Sequence, residues 1–137
     1  MLATQIQDVY DAFFAKIEFD FTGKESLVYQ FFKAANGYAY KTVPENLEYT
    51  ITDNEDYTGN YTETLSQETI ELIALYMKRE YLEKIIAKFE GQRNIVGTKD
   101  FGKLGFRDQY VAAMNGKKRL ADEIEKFRQE FYSYANN

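Results

Sequence analysis

Residues 106–134 read FRDQYVAAMNGKKRLADEIEKFRQEFYSY, and this stretch decides the fold. Alternating steps of four and three residues select apolar side chains with a single polar member, namely Phe106, Tyr110, Ala113, Lys117, Leu120, Ile124, Phe127, Phe131 and Tyr134. Such a spacing is typical of a helix whose seam packs against another helix for about four heptads. The helix would be roughly 42 Å long. A compact domain of 137 residues needs less, so we expect part of this helix to contact another molecule.

The composition limits the chemistry available to the chain. Its 137 residues favour a single domain, and they include no cysteine and no histidine. Without these side chains there is no disulfide framework, no thiolate or imidazole ligand for zinc, and no histidine base. We therefore expect a protein that is not an enzyme and that needs no cofactor or metal. The net charge of −5 argues against DNA binding by the fold as a whole.

Two amphipathic helices are predicted in the first third of the chain. Apolar residues of 4–17 recur at helical spacing, and Thr4 is the expected cap. A second helix is expected to begin at a capping box of Thr22 and Glu25 and to end at Asn36-Gly37. No apolar run has the length of a membrane span and no signal peptide is recognisable, so we expect a soluble protein made in the cytoplasm, with no membrane partner.

Residues 38–64 have a different character. Apolar and polar side chains alternate around Leu47, Tyr49 and Ile51, an acidic turn follows at 53–56, and a return segment carries Tyr57 and Tyr61. This pattern predicts a hairpin or an extended β-prone arm.

Two more helices complete the prediction. The third helix runs from its cap Ser66 to Gly91 and is apolar nearly all round, which indicates a central position. A glycine-containing loop is expected at 92–105, and the long last helix has a weak point at Asn115-Gly116. The predicted fold is mainly α, a single domain 1–137 with about four helices, a long C-terminal helix, and the β-prone arm between helices two and three.

Several candidate sites have competing interpretations. Residues 97–103 fit most of a phosphate-binding loop, but Leu104 occupies the place of the Mg²⁺-binding hydroxyl, so a connector with chance glycines explains them better. The basic cluster of Lys117, Lys118 and Arg119 is either a contact for nucleic acid backbone or a solvated flank. The aromatic residues near the C-terminus are either core or a docking surface, and they are Phe127, Phe131, Tyr132 and Tyr134.

Two segments resemble the head–tail connector proteins of tailed bacteriophages. Residues 65–77, LSQETIELIALYM, resemble the opening of that family's third helix, and Lys99-Asp100-Phe101 matches a segment before its long final helix. Residues 9–17, VYDAFFAKI, are similar in pattern. Within 38–64 nothing resembles the family, and Tyr81 stands where it more often has tryptophan.

The resemblance implies a structural virion protein of the phage neck. Such a subunit would bind the portal protein through a C-terminal docking segment, here 124–137, and would form a ring of about twelve copies around the DNA channel. It would also meet other neck or tail proteins and make transient, non-specific contacts with packaged DNA, for which Lys117, Lys118 and Arg119 are the candidates. The predicted contacts of the arm with neighbouring subunits are Leu47, Tyr49, Ile51, Tyr57 and Tyr61.

A free-standing helical binding module, acting as a phage accessory or regulatory protein, is the alternative. The 38–64 arm separates the two hypotheses. In a ring subunit the arm should become ordered only on meeting a neighbour, whereas in a free module it should pack on the chain's own core.

Overall fold

A computed structural model describes residues 2–103 and 105–132, which form five helices and one antiparallel hairpin. In chain order the elements are α1 (Ile6–Phe14), α2 (Glu25–Tyr40), β1 (Tyr49–Asp53), β2 (Thr58–Tyr61), α3 (Gln67–Val96), α4 (Thr98–Lys103) and α5 (Phe106–Tyr132). This confirms the predicted fold class, with its long last helix and its hairpin between α2 and α3. The additional helix α4 replaces the loop expected at 92–105, because α3 continues to Val96 and the chain then forms a short helix that buries Phe101.

Helix α3 is the centre of the molecule. Helices α1, α2 and α5 all pack against it, and between Thr69 and Met77 every residue except Glu71 is buried. Its predicted cap is confirmed, since the Ser66 hydroxyl accepts a hydrogen bond from the backbone N–H of Thr69 at 3.1 Å. The predicted end at Gly91 is wrong, because the helix continues for another turn.

The predicted start of α1 is wrong for a structural reason. The helix is capped by Gln5 together with Asp8, while Thr4 is buried and belongs to an extended segment beside the hairpin. The Thr4 hydroxyl accepts a hydrogen bond from the N–H of Leu65 at 2.8 Å. The backbone carbonyl of Thr4 accepts another from the N–H of Tyr61 at 2.9 Å. Thr4 therefore anchors the chain's start to the strand β2.

Both predicted ends of α2 also differ from the structure. The Glu25 carboxylate accepts a hydrogen bond from the N–H of Gly23 at 3.1 Å and not from that of Thr22. The Thr22 hydroxyl donates to the Asp20 carboxylate and does not cap the helix. At the other end, α2 passes through Asn36-Gly37 to Tyr40. The Asn36 side chain is buried within the fold, so tertiary contacts override the local stop signal.

The hairpin pairs β1 with β2 around the acidic turn. Tyr49 lies opposite Tyr61 and Ile51 opposite Gly59, with a bulge before Asp53. The Asp53 carboxylate organises the turn by accepting the N–H groups of Glu55 and Asp56 at 2.9 and 3.2 Å. Since a two-stranded hairpin is marginal on its own, its stability depends on the packing described below.

The seam of α5 follows the predicted lattice only in part. Ala113, Leu120 and Ile124 are buried, but near the end Tyr132 is buried while Phe131 is 44% exposed. A straight α-helix drifts by about 20° per heptad relative to a strict seven-residue repeat, so the buried position moves by about one residue over four heptads. The helix continues through its predicted weak point at Asn115-Gly116 without interruption.

Residues 83–119, which we call the distal arm, extend past the main core. None of them belongs to the main cluster of buried apolar residues within the described part of the chain. The arm has a smaller cluster of its own, in which Phe101 lies 5.8 Å from Phe106, 6.1 Å from Tyr110 and 6.5 Å from Phe89 between ring centroids. The arm is therefore a helical hairpin held together by aromatic residues.

Candidate functional site

The aromatic residues near the C-terminus divide between core and surface. Tyr132 is buried, and its hydroxyl lies 2.7 Å from that of Thr69. Phe127 is half-buried against the core, while the exposed Phe131 ring contacts it with centroids 4.7 Å apart. Tyr134 lies outside the described residues. The prediction that Tyr132 is a docking residue is therefore corrected, because Tyr132 would have to leave the core to reach a partner. Among the described candidates, Phe131 is the one that is exposed.

The hairpin residues predicted to meet neighbouring subunits pack on the chain itself. Leu47 and Tyr61 are each only 2% exposed, so for these two the prediction of an inter-subunit contact is wrong in this conformation. Tyr49 and Ile51 are half-buried against the main core, and the half-buried Tyr57 ring stacks on Tyr29 at 4.9 Å. For these three residues the contact with a neighbour stays a prediction.

A network of tyrosine hydroxyls and one amide fastens the hairpin to the helices. The Asn36 amide donates to the carbonyl of Leu47 at 3.0 Å, and its oxygen accepts from the hydroxyl of Tyr61 at 2.8 Å. The hydroxyl of Tyr10 donates to the carbonyl of Tyr57 at 2.7 Å. Burial raises the pKa values of Tyr10 and Tyr61 well above the usual tyrosine range, so both stay protonated donors at neutral pH.

We expect Asn36→Ala to lower the free energy of unfolding by about 2–3 kcal/mol, because it leaves the Leu47 carbonyl and the Tyr61 hydroxyl buried without partners. Tyr61→Phe removes one side of the same contact and should cost less, and in a double-mutant cycle the two changes should be coupled. Urea unfolding measures both, with the exposed Tyr40→Phe as control. Independent, additive effects would contradict the contact.

The basic cluster at 117–119 belongs to a segment of the chain that is basic as a whole. Lys117 lies 3.5 Å from the Glu83 carboxylate, while Lys118 and Arg119 are exposed. The distal arm carries nine basic and four acidic residues, giving it a net charge of +5, whereas the rest of the chain has −10. The basic residues of the arm are Lys84, Lys88, Arg93, Lys99, Lys103, Arg107, Lys117, Lys118 and Arg119. Sequence reasoning that weighed only the total charge missed this asymmetry, which counting charges by segment reveals.

Neither a cluster of metal-ligating side chains nor a membrane-spanning helix is found among the described residues. Among residues 2–103 and 105–132, no three potential metal-ligating side chains of histidine, cysteine, aspartate or glutamate cluster together. In the same part of the chain, no helix combines the length and the apolar character needed to cross a bilayer. Residues 98–103, which matched part of a phosphate-binding loop, form the short helix α4.

Three features of the chain bear on its function: the exposed Phe131 near the end of α5, the hairpin that packs on the core, and the basic distal arm. Comparisons with protein-family models, with curated proteins and with solved structures found no match for it.

Proposed function

We propose that this protein is a head–tail connector subunit of a tailed bacteriophage, which forms a ring beneath the portal around the DNA channel. The distal arm is the observation that carries the proposal. Two long helices continue beyond the core and are joined by α4, which contains the Lys99-Asp100-Phe101 segment that resembles the family. An extension of this kind supplies surface for assembly, which a self-sufficient small domain does not require.

The residues that resemble the family occupy structural positions that suit this proposal. Residues 65–77 contain the cap and the largely buried first turns of the central helix, and Phe101 closes the aromatic cluster of the distal arm. The roles that follow are docking to the portal by Phe131 and sliding contacts with DNA by Lys118 and Arg119. Neighbouring copies and other neck or tail proteins would be further partners, and the virion neck would be the location.

One observation favours the second candidate, a free-standing binding module. The hairpin packs on the chain's own core through Leu47 and Tyr61, as expected for a module that does not need a neighbour to order it. The two candidate functions therefore have to be distinguished by what the protein binds, because the fold is compatible with both.

The decisive measurement is the mass of the purified chain, alone and mixed with a portal ring. We expect a complex that contains the chain in a fixed multiple of the portal subunit. Phe131→Asp should weaken this complex at least about tenfold, since it places a charge on an apolar contact. Tyr40→Asp, a matched change at an aromatic residue outside the distal arm that is 62% exposed, should leave it intact. A chain that never joins the portal would move the assignment to the free module.

A further inference from the structure

An exposed aromatic ridge lies on the connection between α1 and α2. Phe14 and Phe19 are 38% and 46% exposed, and the Phe19 ring lies 4.7 Å from the buried Phe21 ring between centroids. Phe19 and Phe21 each line two neighbouring clefts, one on either side of the ridge. Phe14 also lies beside Phe21, with the two ring centroids 6.1 Å apart, and exposed apolar side chains grouped in this way are typical of a contact surface.

The cleft on one side of the ridge is basic. It encloses about 690 Å³ between α2 and α3, and its apolar walls include Leu27, Tyr81 and Ile85. Its charged residues are Lys24, Lys84 and Lys88, and no carboxylate is among the described residues that line it. Lys24 also places its ammonium 4.9 Å from the centroid of the Phe19 ring.

The cleft on the other side is acidic. It encloses about 450 Å³ beside Phe14, and its charged lining consists of Asp20, Glu25 and Asp56, with no lysine or arginine among the described residues. Hydrogen bonds from the hydroxyl and the N–H of Thr22 lower the pKa of Asp20, so this carboxylate stays ionised. Within the described part of the chain, none of the three carboxylates or the three lysines has an ion-pair partner.

A surface with a basic half, an aromatic centre and an acidic half is complementary to a copy of itself. We infer that two copies of this chain pair through this surface about a two-fold axis near Phe19, with the lysines of each facing the carboxylates of the other. An isologous contact of this kind is closed and uses one surface per subunit. The aromatic ridge supplies the apolar contact, whereas exposed ion pairs add little affinity and mainly fix the register.

The pairing does not rest on the connector proposal. A ring requires two different surfaces per subunit, so the two-fold pair is a form of the free protein, present without a portal. The mass of the chain alone tests the pairing, and the mass with the portal tests the connector function, which keeps the two failures distinguishable.

The test is a charge-swap experiment on the full chain. Lys84→Glu/Lys88→Glu makes the surface acidic on both sides, and Asp20→Lys/Asp56→Lys makes it basic on both sides. We expect the unmodified chain to sediment as a dimer at about 100 µM in low salt, and each variant to dimerise at least about tenfold more weakly. An equimolar mixture of the two variants should restore dimers, which native mass spectrometry should identify as mixed pairs.

Matched variants control for folding and for total charge. Lys41→Glu/Lys126→Glu changes the net charge equally at exposed residues away from both clefts and should remain dimeric. Because the Asp20 change removes the hydrogen bonds from Thr22, Phe19→Asp provides an independent disruption at an exposed position, and circular dichroism confirms that each variant is folded.

Three outcomes would overturn the inference. These are a monomeric unmodified chain, a dimer that survives both charge reversals, and a mixture of folded variants that stays monomeric. If Lys84→Glu/Lys88→Glu instead weakened binding to a short DNA duplex without changing the mass of the chain, the basic cleft would be a nucleic acid surface and the pairing would be rejected.

Discussion

Gly59→Ala is expected to lower the free energy of unfolding by roughly 3–5 kcal/mol, because a methyl group at this position collides with the backbone of the opposite strand. An added Cβ would lie 1.9 Å from the carbonyl oxygen of Thr50 and 2.9 Å from the Cα of Ile51. Neither atom belongs to a flexible side chain, so the two strands would have to separate. The change should also weaken the burial of Tyr61, which follows in the same strand.

Thermal and urea unfolding would measure this effect, and Gly37→Ala is its matched control. Gly37 lies inside α2, and an added Cβ there meets no atom within 4 Å. Alanine is favoured over glycine in a helix interior, so the control should stabilise the protein by about 0.5–1 kcal/mol. If Gly59→Ala changed the stability by less than about 1 kcal/mol, the strand register described above would be wrong.

Local signals in the sequence correctly predicted the start of α3 and the position of the hairpin. The cap at Ser66 depends on a hydroxyl three residues before the N–H that it binds. The alternation around Tyr49 and the acidic turn placed the hairpin correctly. The end of α2 could not be predicted in the same way, because the groups that satisfy Asn36 come from Leu47 and Tyr61, which lie far along the chain.

The spacing in α5 left one structural alternative open. A supercoiled pair keeps every member of a heptad lattice on the seam, whereas a straight helix moves the seam by about one residue over four heptads. The burial of Tyr132 and the exposure of Phe131 follow the second case. For this reason Tyr132 is no longer a candidate docking residue whereas Phe131 is, although the helix itself was predicted correctly.

The two surfaces that emerged from the structure differ in how far the sequence could have revealed them. The basic charge of the distal arm is visible in a count over residues 83–119. The ridge at Phe19 is not, because its two clefts combine residues of α2, of the hairpin turn and of α3. Side chains such as Lys24 and Lys84 become neighbours only when α2 packs on α3.

Phe32→Ala is expected to lower the free energy of unfolding by about 3–5 kcal/mol, since it opens a cavity where α1, α2 and the hairpin meet. Phe32 is completely buried. Its ring centroid lies 5.0 Å from that of Tyr49, 5.6 Å from that of Tyr10 and 6.1 Å from that of Tyr61. Because these three neighbours belong to α1, β1 and β2, which would all have to move to fill the space, we expect the cavity to collapse only partly.

Urea unfolding combined with amide hydrogen exchange would test this prediction and its consequence for the hairpin. Phe131→Ala, at an exposed ring of the same type, should cost at most about 1 kcal/mol. In Phe32→Ala, the amides of β1 and β2 should exchange faster than those of α3, because the hairpin loses its support on α2 while the central helix keeps its own packing. Equal costs for the two variants, with unchanged protection of the strands, would mean that the hairpin does not depend on the core. That result would support the hypothesis that residues 38–64 become ordered only on contact with a neighbouring subunit.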